Sequence, residues 1–405
     1  MKTLSSMLRG ANRKMRVLYI DPHPVPDICP EAMQILQTVD ALAQVGCEVV
    51  LATPASRSGC TAEHVLGRVA HPDVRFQTLR DLRGQRWFPL RSGWLFYRAA
   101  CHLVDQLEGI DAILVRNLKL AEAVLALPKH PPVIFETHEV FARVFAEDRP
   151  QPGWKDRRKL AALRRREAHV YARSDGIAAL TQWLLDDLRE EYGVNTPGAV
   201  VPDGVDLAAA AATVPKAGWS NPPELLYLGS LHPWKGVECL LAALPMISNA
   251  NLTIAGGPPA RIAQLEQQAI TLQIAGRVRF LGHVEPQRRF QIIADADVCL
   301  LPLTDTSIGS RYTSPLKLFE YMAAGKPIVA ADVPALRSVI CDGVDGILAP
   351  VNDPAQLAHA VTQLLNNPAS AKAIGKAAHV SAARYTWTAR AEILKALFTQ
   401  LRCQA

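Results

Sequence analysis

The stretch from Thr313 to Pro327, TSPLKLFEYMAAGKP, contains residue types that suit the binding of an anion. Ser314 is a favourable N-cap, Pro315 suits the first turn of a helix, and Gly325 is a natural helix terminator. The sequence therefore predicts a helix over residues 315–324. The first backbone amides of such a helix have no partner within it, and they would form a binding site for phosphate.

Three polar side chains share one side of this predicted helix: Lys317, Glu320 and Tyr321. The opposite side is apolar, so the polar stripe must face either solvent or a cleft. On the residues alone, we expect the stripe to face solvent.

A second candidate site is the loop within LLYLGSLHPWKG, residues 225–236. A strand is predicted to end at Gly229, and Lys235 and Gly236 open the next helix. A lysine at that position can reach a phosphate held at the helix N-terminus, although a solvated loop lysine fits the spacing equally well. The glycine turn AGGPP at 255–259 follows another strand and by itself indicates only a turn.

The elements that would position these loops alternate between strand and helix. Short apolar runs at 15–20, 47–53, 111–116 and 132–138 predict buried strands, with a helix over 31–45. The pattern restarts with ELLYLGS and continues through NLTIAGG, RVRFLG, DADVCLLPL, KPIVAAD and DGILAP. Apolar strands that alternate with helices indicate α/β domains whose parallel sheets are covered on both faces.

The repeated order of elements predicts two Rossmann-like domains that face each other across a cleft. In such folds ligands bind outside the carboxyl ends of the strands. We assign residues 1–206 to an N-terminal domain, 207–223 to a linker and 224–385 to a C-terminal domain. Residues 386–405 are expected to form a C-terminal helix that packs back on the N-terminal domain.

Composition narrows the class of protein. Hydrophobic residues make up 49% of the 405 positions and charged residues 20%, which excludes a disordered chain. The net charge of +6 is too small for a dedicated nucleic-acid binder. Eight cysteines without a C-x-x-C pair are typical of reduced thiols in a cytosol rather than of a zinc site. We expect a cytoplasmic protein without a membrane span, resting at the inner face of the membrane.

Several segments of the second half resemble, in order and spacing, the retaining glycosyltransferases of family 4. They are GSLHPWKGVECLLAAL, LTIAGGPP, VRFLGHV, ADVCLLPL, SPLKLFEYMAAGKPIVA and CDGVDGILAPVNDPAQLAHAV. VVPDGVD at 200–206 resembles the family's Pro-Asn-Gly-Val-Asp, with Asp203 in place of the asparagine. The N-terminal half matches more loosely, through MRVLYI, ALAQVGCEVVLAT and FETHE.

The resemblance implies a GT-B fold and a retaining glycosyltransferase. It implies a nucleoside-diphosphate-sugar donor, no other cofactor, and a glycan or lipid-linked acceptor in the synthesis of cell-envelope polysaccharide. Because a lysine and helix amides can neutralise a diphosphate, we expect the transfer to be independent of metal ions. Two members of this fold class stay as alternatives: a nucleotide-sugar 2-epimerase, and a catalytically silent partner that binds nucleotide sugar or glycan.

The resemblance also assigns roles to residues of the donor site. Lys235 matches the lysine that contacts the donor diphosphate, and Glu320 matches the acid that binds the ribose. The amides near Leu316 and Lys317 would meet the diphosphate, and Val284 lies where the family's backbone contacts the base.

One further role falls in the N-terminal domain. There, His138 matches a histidine close to the transferred sugar, and without the match we would interpret it as a core or loop histidine.

The chain departs from the family pattern at three places. Tyr312 stands where the first acid of a glutamate pair is expected, and Ser230, which we keep among the donor-site residues, stands where the family has an arginine. The loop after the first strand reads DPHPVPDICPE instead of being rich in glycine. Asp295-Ala-Asp297 matches a metal-binding motif by its letters alone, because it precedes its strand and so lies at the end away from the ligand.

Two basic segments of the N-terminal half predict an acceptor-side surface that docks on a membrane. Residues 155–166, KDRRKLAALRRR, hold seven basic residues and one acid, and residues 75–98 combine arginines with aromatic residues. Basic side chains are attracted to anionic lipid and aromatic rings favour the interface. The alternative is a solvated helix face beside ordinary core aromatics.

Overall fold

The structure is a computed structural model that describes residues 13–82, 93–214, 216 and 218–404. The chain divides into two compact units. The first comprises residues up to Ala179, Leu185–Val201 and Trp387 onwards, and the second comprises Leu180–Leu184 and Pro202–Thr386.

The first unit is built on a parallel sheet of seven strands in the order β3-β2-β1-β4-β5-β6-β7. The central strands are buried on both faces, as their continuous apolar sequences predicted. The strands are β1 (Met15–Ile20), β2 (Cys47–Thr53), β3 (Val74–Thr78), β4 (Ala112–Val115), β5 (Val133–Thr137), β6 (Gly176–Ala179) and β7 (Gly198–Val200).

The second unit repeats the architecture with six parallel strands in the order β10-β9-β8-β11-β12-β13. Two apolar clusters of helix and strand side chains surround this sheet. The strands are β8 (Glu224–Leu228), β9 (Asn251–Ala255), β10 (Val278–Gly282), β11 (Val298–Leu301), β12 (Ile328–Ala331) and β13 (Ile347–Ala349). Both predicted Rossmann-like domains are therefore present.

Helices connect successive parallel strands, as crossover connections require. In chain order the α-helices are Pro30–Gln44, Ala62–Leu66, Trp94–Gln106, Leu118–Leu125, Phe141–Glu147, Trp154–Arg173, Gln182–Tyr192, Leu207–Ala211, Val237–Ala243, Pro259–Thr271, Arg289–Asp295, Leu316–Ala323, Pro334–Arg337, Pro354–Asn366, Pro368–Ala382 and Trp387–Gln404.

The boundaries between units differ in detail from those expected. The second unit begins at Pro202, and the stretch 207–223 that we had assigned to a linker contains the helix Leu207–Ala211, whose N-cap is the Asp206 side chain. The C-terminal helix Trp387–Gln404 belongs to the first unit, where it packs against the helix Pro30–Gln44. Apart from the short excursion Leu180–Leu184, the chain therefore leaves the first unit after Val201 and returns to it at Trp387.

Candidate functional site

The carboxyl end of β8 and the first turn of the helix Leu316–Ala323 lie against each other in the second unit. Gly229, directly after β8, has a φ of +140°, and a Cβ added there would lie 2.6 Å from Nζ of Lys317. Only glycine leaves room for that amine and adopts this backbone conformation without strain. The sequence thus places a lysine amine at the end of the strand where ligands bind in this class of fold.

Lys317 is buried, with an exposed fraction of 7%, which contradicts the expectation that its side of the helix faces solvent. Its amine lies 3.8 Å from the centre of the Tyr227 ring and has no hydrogen-bond partner among the described residues. Burial, reinforced by the nearby charge of Lys235, holds the pKa of Lys317 well below its usual range. The buried Lys317 amine therefore has too little negative charge around it to favour its protonated form.

Lys235 is the second buried amine of the site. It ends a short 3-10 turn, Pro233–Lys235, and its Nζ lies 3.6 Å from the centre of the Trp234 ring. Burial lowers its pKa to about 7, against a smaller opposing effect of Asp203. The structure therefore excludes the solvated loop lysine that the spacing alone allowed.

Glu320 supplies the acid of the site and is also buried. Its Oε1 lies 2.8 Å from Nε of Arg289, which the sequence had not singled out. Burial raises the pKa of Glu320, while Arg289 and Lys317 oppose that rise. The stripe Lys317, Glu320 and Tyr321 is buried as a whole, because helix and strand neighbours cover it.

The start of the helix differs from the sequence prediction in one respect. Pro315 is the N-cap residue and provides no side-chain hydrogen bond, whereas Ser314 was expected to cap the helix. The Ser314 hydroxyl instead accepts a hydrogen bond from the backbone N–H of Asp203 at 2.8 Å, a tertiary contact that no local pattern reveals. The first amides of the helix, near Leu316 and Lys317, keep the open end that an anion site needs.

In the first unit, His138 follows β5 and is held by a buried carboxylate. Its Nε2 donates to Oε1 of Glu136 at 2.7 Å, and the same oxygen accepts from Arg390 at 2.6 Å and from Gln34 at 2.8 Å. Burial alone would raise the pKa of Glu136, but Arg390 and His138 hold it well below its usual range. His138 is therefore oriented by an ionised acid, and its ring keeps an exposed fraction of 27%.

Arg390 is the member of this cluster that sequence reasoning missed. It lies on the C-terminal helix, far along the chain, and is buried with an exposed fraction of 1%. Besides Glu136 it donates to the Val201 carbonyl at 2.6 Å and to the Thr38 hydroxyl at 3.0 Å. The sequence contained one indication of this buried role, which is that an arginine stands among the apolar positions of the C-terminal helix.

Two family models match the chain in succession. The model described as Glycosyltransferase Family 4 matches residues 32–209, and the model described as Glycosyl transferases group 1 matches residues 222–367. The chain belongs to glycosyltransferase family 4. The family expected from the sequence motifs is thus confirmed.

Curated relatives match this family 4 chain over part of their length. A D-inositol 3-phosphate glycosyltransferase of Corynebacterium diphtheriae is 33% identical over 43% of this chain and 42% of its own. A glycogen synthase of Mycobacterium tuberculosis is 31% identical over 52% of this chain and 50% of its own. The chain spans about half the length of the curated relatives it matches.

Solved structures confirm the GT-B fold. Sucrose-phosphate synthase from Thermosynechococcus elongatus superposes with a TM-score of 0.79 at 20% identity, covering 97% of this chain and 100% of the other. Anabaena HepE in complex with UDP gives a TM-score of 0.71 at 16% identity, covering 95% and 100%. At these identities the likeness concerns the fold alone.

The other residues that the family resemblance singled out, Val284, Ser230 and Tyr312, differ from one another in their surroundings. Val284 is half-buried and packs against an apolar cluster, and the Ser230 carbonyl accepts a 2.6 Å hydrogen bond from the Tyr227 hydroxyl. Tyr312, at the position of the missing acid, is fully buried. Their assigned roles toward the donor stay predictions.

The Asp297 carboxylate of the Asp-x-Asp sequence makes structural contacts at the start of β11. It accepts hydrogen bonds from the Ser220 and Glu224 amides and pairs with Lys216 at the amino end of β11. It therefore joins the start of one strand to that of its neighbour, as its place before the strand indicated. Across the described ranges, no group of three or more His, Cys, Asp or Glu side chains is arranged to hold a metal ion.

Proposed function

We propose that the chain is a retaining glycosyltransferase whose second unit binds a nucleoside-diphosphate sugar. The single observation that carries this proposal is the pair of buried amines, Lys235 and Lys317, beside the open start of the helix Leu316–Ala323. Both have lowered pKa values because they are buried without enough negative charge around them. A diphosphate would bring the charge that the site lacks.

Energetics support a ligand of this kind. A buried amine without a hydrogen-bond partner costs roughly 1–3 kcal/mol of stability, so a chain keeps one only where something other than folding requires it. Lysine amines and helix amides are both donors, and a diphosphate offers only acceptor oxygens. Glu320, an acceptor in the same site, suits the hydroxyl groups of a ribose. HepE, which shares the fold, has been solved with UDP and with UDP-glucose.

The same groups suit the reaction. The bond between the acceptor oxygen and the anomeric carbon forms while the bond from that carbon to the phosphate oxygen breaks, and the acceptor proton passes to the leaving phosphate. Lys235, Lys317 and the helix amides stabilise the charge that develops on the diphosphate. These cations neutralise the leaving group by themselves, so we propose that transfer is independent of metal ions. We assign His138 to the transferred sugar.

For the acceptor we propose a glycan or lipid-linked sugar of the cell envelope. Relatives include a phosphatidyl-myo-inositol mannosyltransferase of Mycobacterium leprae, and a structure with a TM-score of 0.67 is a glycosyltransferase involved in lipopolysaccharide biosynthesis. Among the described residues, no helix is both long and apolar enough to cross a bilayer.

The helix Trp154–Arg173 supplies the better of the two candidate surfaces. Trp154 is 65% exposed, with the amine of Lys155 over its ring, and most basic residues of 155–166 are exposed. In segment 75–98, residues 83–92 lie outside the described residues, and Phe96 is a core residue. We propose that 155–166 contacts anionic lipid at the inner face of a membrane.

Sedimentation with vesicles tests the membrane contact. The protein should co-sediment with vesicles containing phosphatidylglycerol at low salt and release as salt rises, because exposed charges are screened within about 10 Å at 0.1 M. Charge reversal of Arg157 and Arg158 should abolish sedimentation. A protein that stays in the supernatant at low salt would direct attention to a soluble acceptor.

One observation favours a second candidate, a catalytically silent partner that binds nucleotide sugar. Tyr312 stands where the family resemblance places an acid that acts on the sugar, and its side chain is fully buried. Slow donor hydrolysis without an acceptor separates the two candidates, because a silent partner should bind the donor and release no sugar.

The donor site is tested by thermal shift against UDP-, GDP- and ADP-sugars. A donor at about 100 times its dissociation constant should stabilise the protein by about 2.7 kcal/mol. Lys235→Met and Glu320→Gln should each weaken that donor roughly tenfold or more, since a charge-assisted hydrogen bond contributes about 1.5–3 kcal/mol. The exposed Lys372, also in the second unit, offers Lys372→Met as the matched control. Equal donor affinity in the Lys235 variant and the control would remove the central support of the proposal.

A further inference from the structure

Arg289 is the first residue of the helix Arg289–Asp295 and reaches Glu320 on the helix Leu316–Ala323. The Arg289 Nε lies 2.8 Å from Oε1 of Glu320, and the two side chains keep exposed fractions of only 13% and 11%. Arg289 lies between the segments that carry the family resemblance, VRFLGHV and ADVCLLPL, and no motif assigns it a role.

We propose that Arg289 is a positioning residue for nucleotide recognition, which holds the Glu320 carboxylate ionised and aimed at the ribose 2′-hydroxyl of the donor. The inference rests on the proposed donor site and names the group on which its ribose selectivity depends. Arg289 acts through Glu320 and needs no contact of its own with the nucleotide.

The chemistry of Glu320 explains the need for a dedicated cation. An ionised carboxylate accepts hydrogen bonds at both oxygens, whereas a protonated one turns one oxygen into a donor that competes with the hydroxyl it should receive. Glu320 is buried, which disfavours the ionised form. A permanent positive charge at 2.8 Å counteracts that effect and draws the carboxylate toward the start of the helix Arg289–Asp295.

Lys317, the other cation near Glu320, cannot replace Arg289 in this role. Burial and Lys235 favour its neutral form in the empty site, and the proposed diphosphate needs its proton. A guanidinium stays protonated under all physiological conditions and offers several donors in a fixed plane. The site therefore separates two tasks, with lysine amines for the diphosphate and an arginine for the acid that receives the ribose.

The fold fixes Arg289 where this role requires. Phe290, the next residue, is buried in the apolar cluster that also contains Leu318 and Met322 of the partner helix. The Arg289 guanidinium lies 5.2 Å from the Phe290 ring centre, which further restricts its side chain. The ion pair therefore joins two helices whose separation is set by core packing.

Paired ribose and deoxyribose nucleotides test the inference. Dissociation constants are measured by calorimetry for UDP, GDP and ADP and for their 2′-deoxy counterparts. Wild-type protein should prefer the ribose form of the nucleotide it binds by roughly tenfold, the effect of one charge-assisted hydrogen bond. Arg289→Met should reduce this preference to about threefold or less, mainly by weakening the ribose form, and Arg289→Lys should restore part of it.

Arg288→Met is the matched control, because it removes the same charge from an exposed neighbour at the start of the same helix. It should leave the ribose preference unchanged, so a general loss of positive potential is separated from a loss of positioning. Thermal unfolding of each empty variant identifies misfolding, in which case Arg289→Lys carries the comparison.

The possible results have distinct meanings. A wild-type ribose preference that persists in Arg289→Met, or a wild-type protein that binds both forms equally, would overturn the role of Arg289 while leaving nucleotide binding intact. Failure of the wild-type protein to bind any of the nucleoside diphosphates would instead overturn the proposed donor site itself.

Discussion

Binding of a nucleoside diphosphate to the second unit should draw protons from solution at alkaline pH. The pKa of Lys235 is lowered to about 7, so in the empty site about nine-tenths of its amines are neutral at pH 8. Burial and the charge of Lys235 hold the pKa of Lys317 well below its usual range, which favours its neutral form as well. A diphosphate beside them favours the charged forms and raises both pKa values.

The expected magnitude follows from these values. At pH 8 Lys235 should take up close to one proton when UDP binds, and protonation of Lys317 adds to that uptake in the same direction. At pH 6 about nine-tenths of the Lys235 amines are already charged, and the contribution of Lys235 to the uptake should fall to about a tenth of a proton. The Lys235→Met variant should show about one proton less than wild type at pH 8 and nearly the same uptake as wild type at pH 6.

Calorimetry in several buffers measures this uptake directly. The observed binding enthalpy at fixed pH is plotted against the ionisation enthalpy of phosphate, HEPES and Tris buffers, and the slope gives the number of protons exchanged. Lys372→Met, at an exposed lysine of the same unit, should reproduce the wild-type slope. A slope of zero for wild type at pH 8, or an unchanged slope in Lys235→Met, would refute the assignment of buried neutral amines to the diphosphate.

Three further predictions concern stability and catalysis. Lys317→Met should stabilise the empty protein by roughly 1–3 kcal/mol in urea unfolding while weakening UDP, because it removes a buried amine that lacks a hydrogen-bond partner; equal stability would show that the amine is solvated. The free energy of unfolding of the empty wild-type protein should rise between about pH 7 and pH 10.5, because the folded pKa of Lys235 lies below its unfolded value and unfolding takes up a proton in that window. A free energy of unfolding that does not change with pH in this window, and that has the same pH dependence in Lys235→Met, would contradict the lowered pKa. His138→Ala should lower donor turnover at least tenfold yet leave the UDP dissociation constant within twofold, because UDP is assigned to the other unit; a parallel loss of UDP affinity would indicate misfolding instead.

Much of the fold could be predicted from local sequence. Strands β1 and β2 occupy the predicted residues 15–20 and 47–53, because short branched apolar runs between turn signals leave a buried parallel strand as the natural structure. The family motifs gave the class of protein, since they follow in order through the whole second half. The helix Leu316–Ala323 was predicted within a residue or two, since proline and glycine limit where a helix can begin and end.

Burial of the polar stripe could not be predicted in this way. Helical periodicity shows that Lys317, Glu320 and Tyr321 share a side, but it contains no information on what covers that side. The cover comes from β8 and from the helix Arg289–Asp295, which are distant in sequence, and it changes the lysine from a solvated charge into an amine with a lowered pKa.

Long-range polar pairs were also decided by the tertiary structure alone. Arg289 with Glu320, Arg390 with Glu136, and Ser314 with the Asp203 amide each join segments separated by at least 31 residues. Side-chain patterns within one element report which face is apolar, whereas an ion pair between elements depends on strand order and helix packing, which place distant residues within hydrogen-bond reach. The sequence by itself thus determined the two sheets, the family and the lysines of the proposed donor site, and the tertiary structure decided which of those side chains are buried and what holds them.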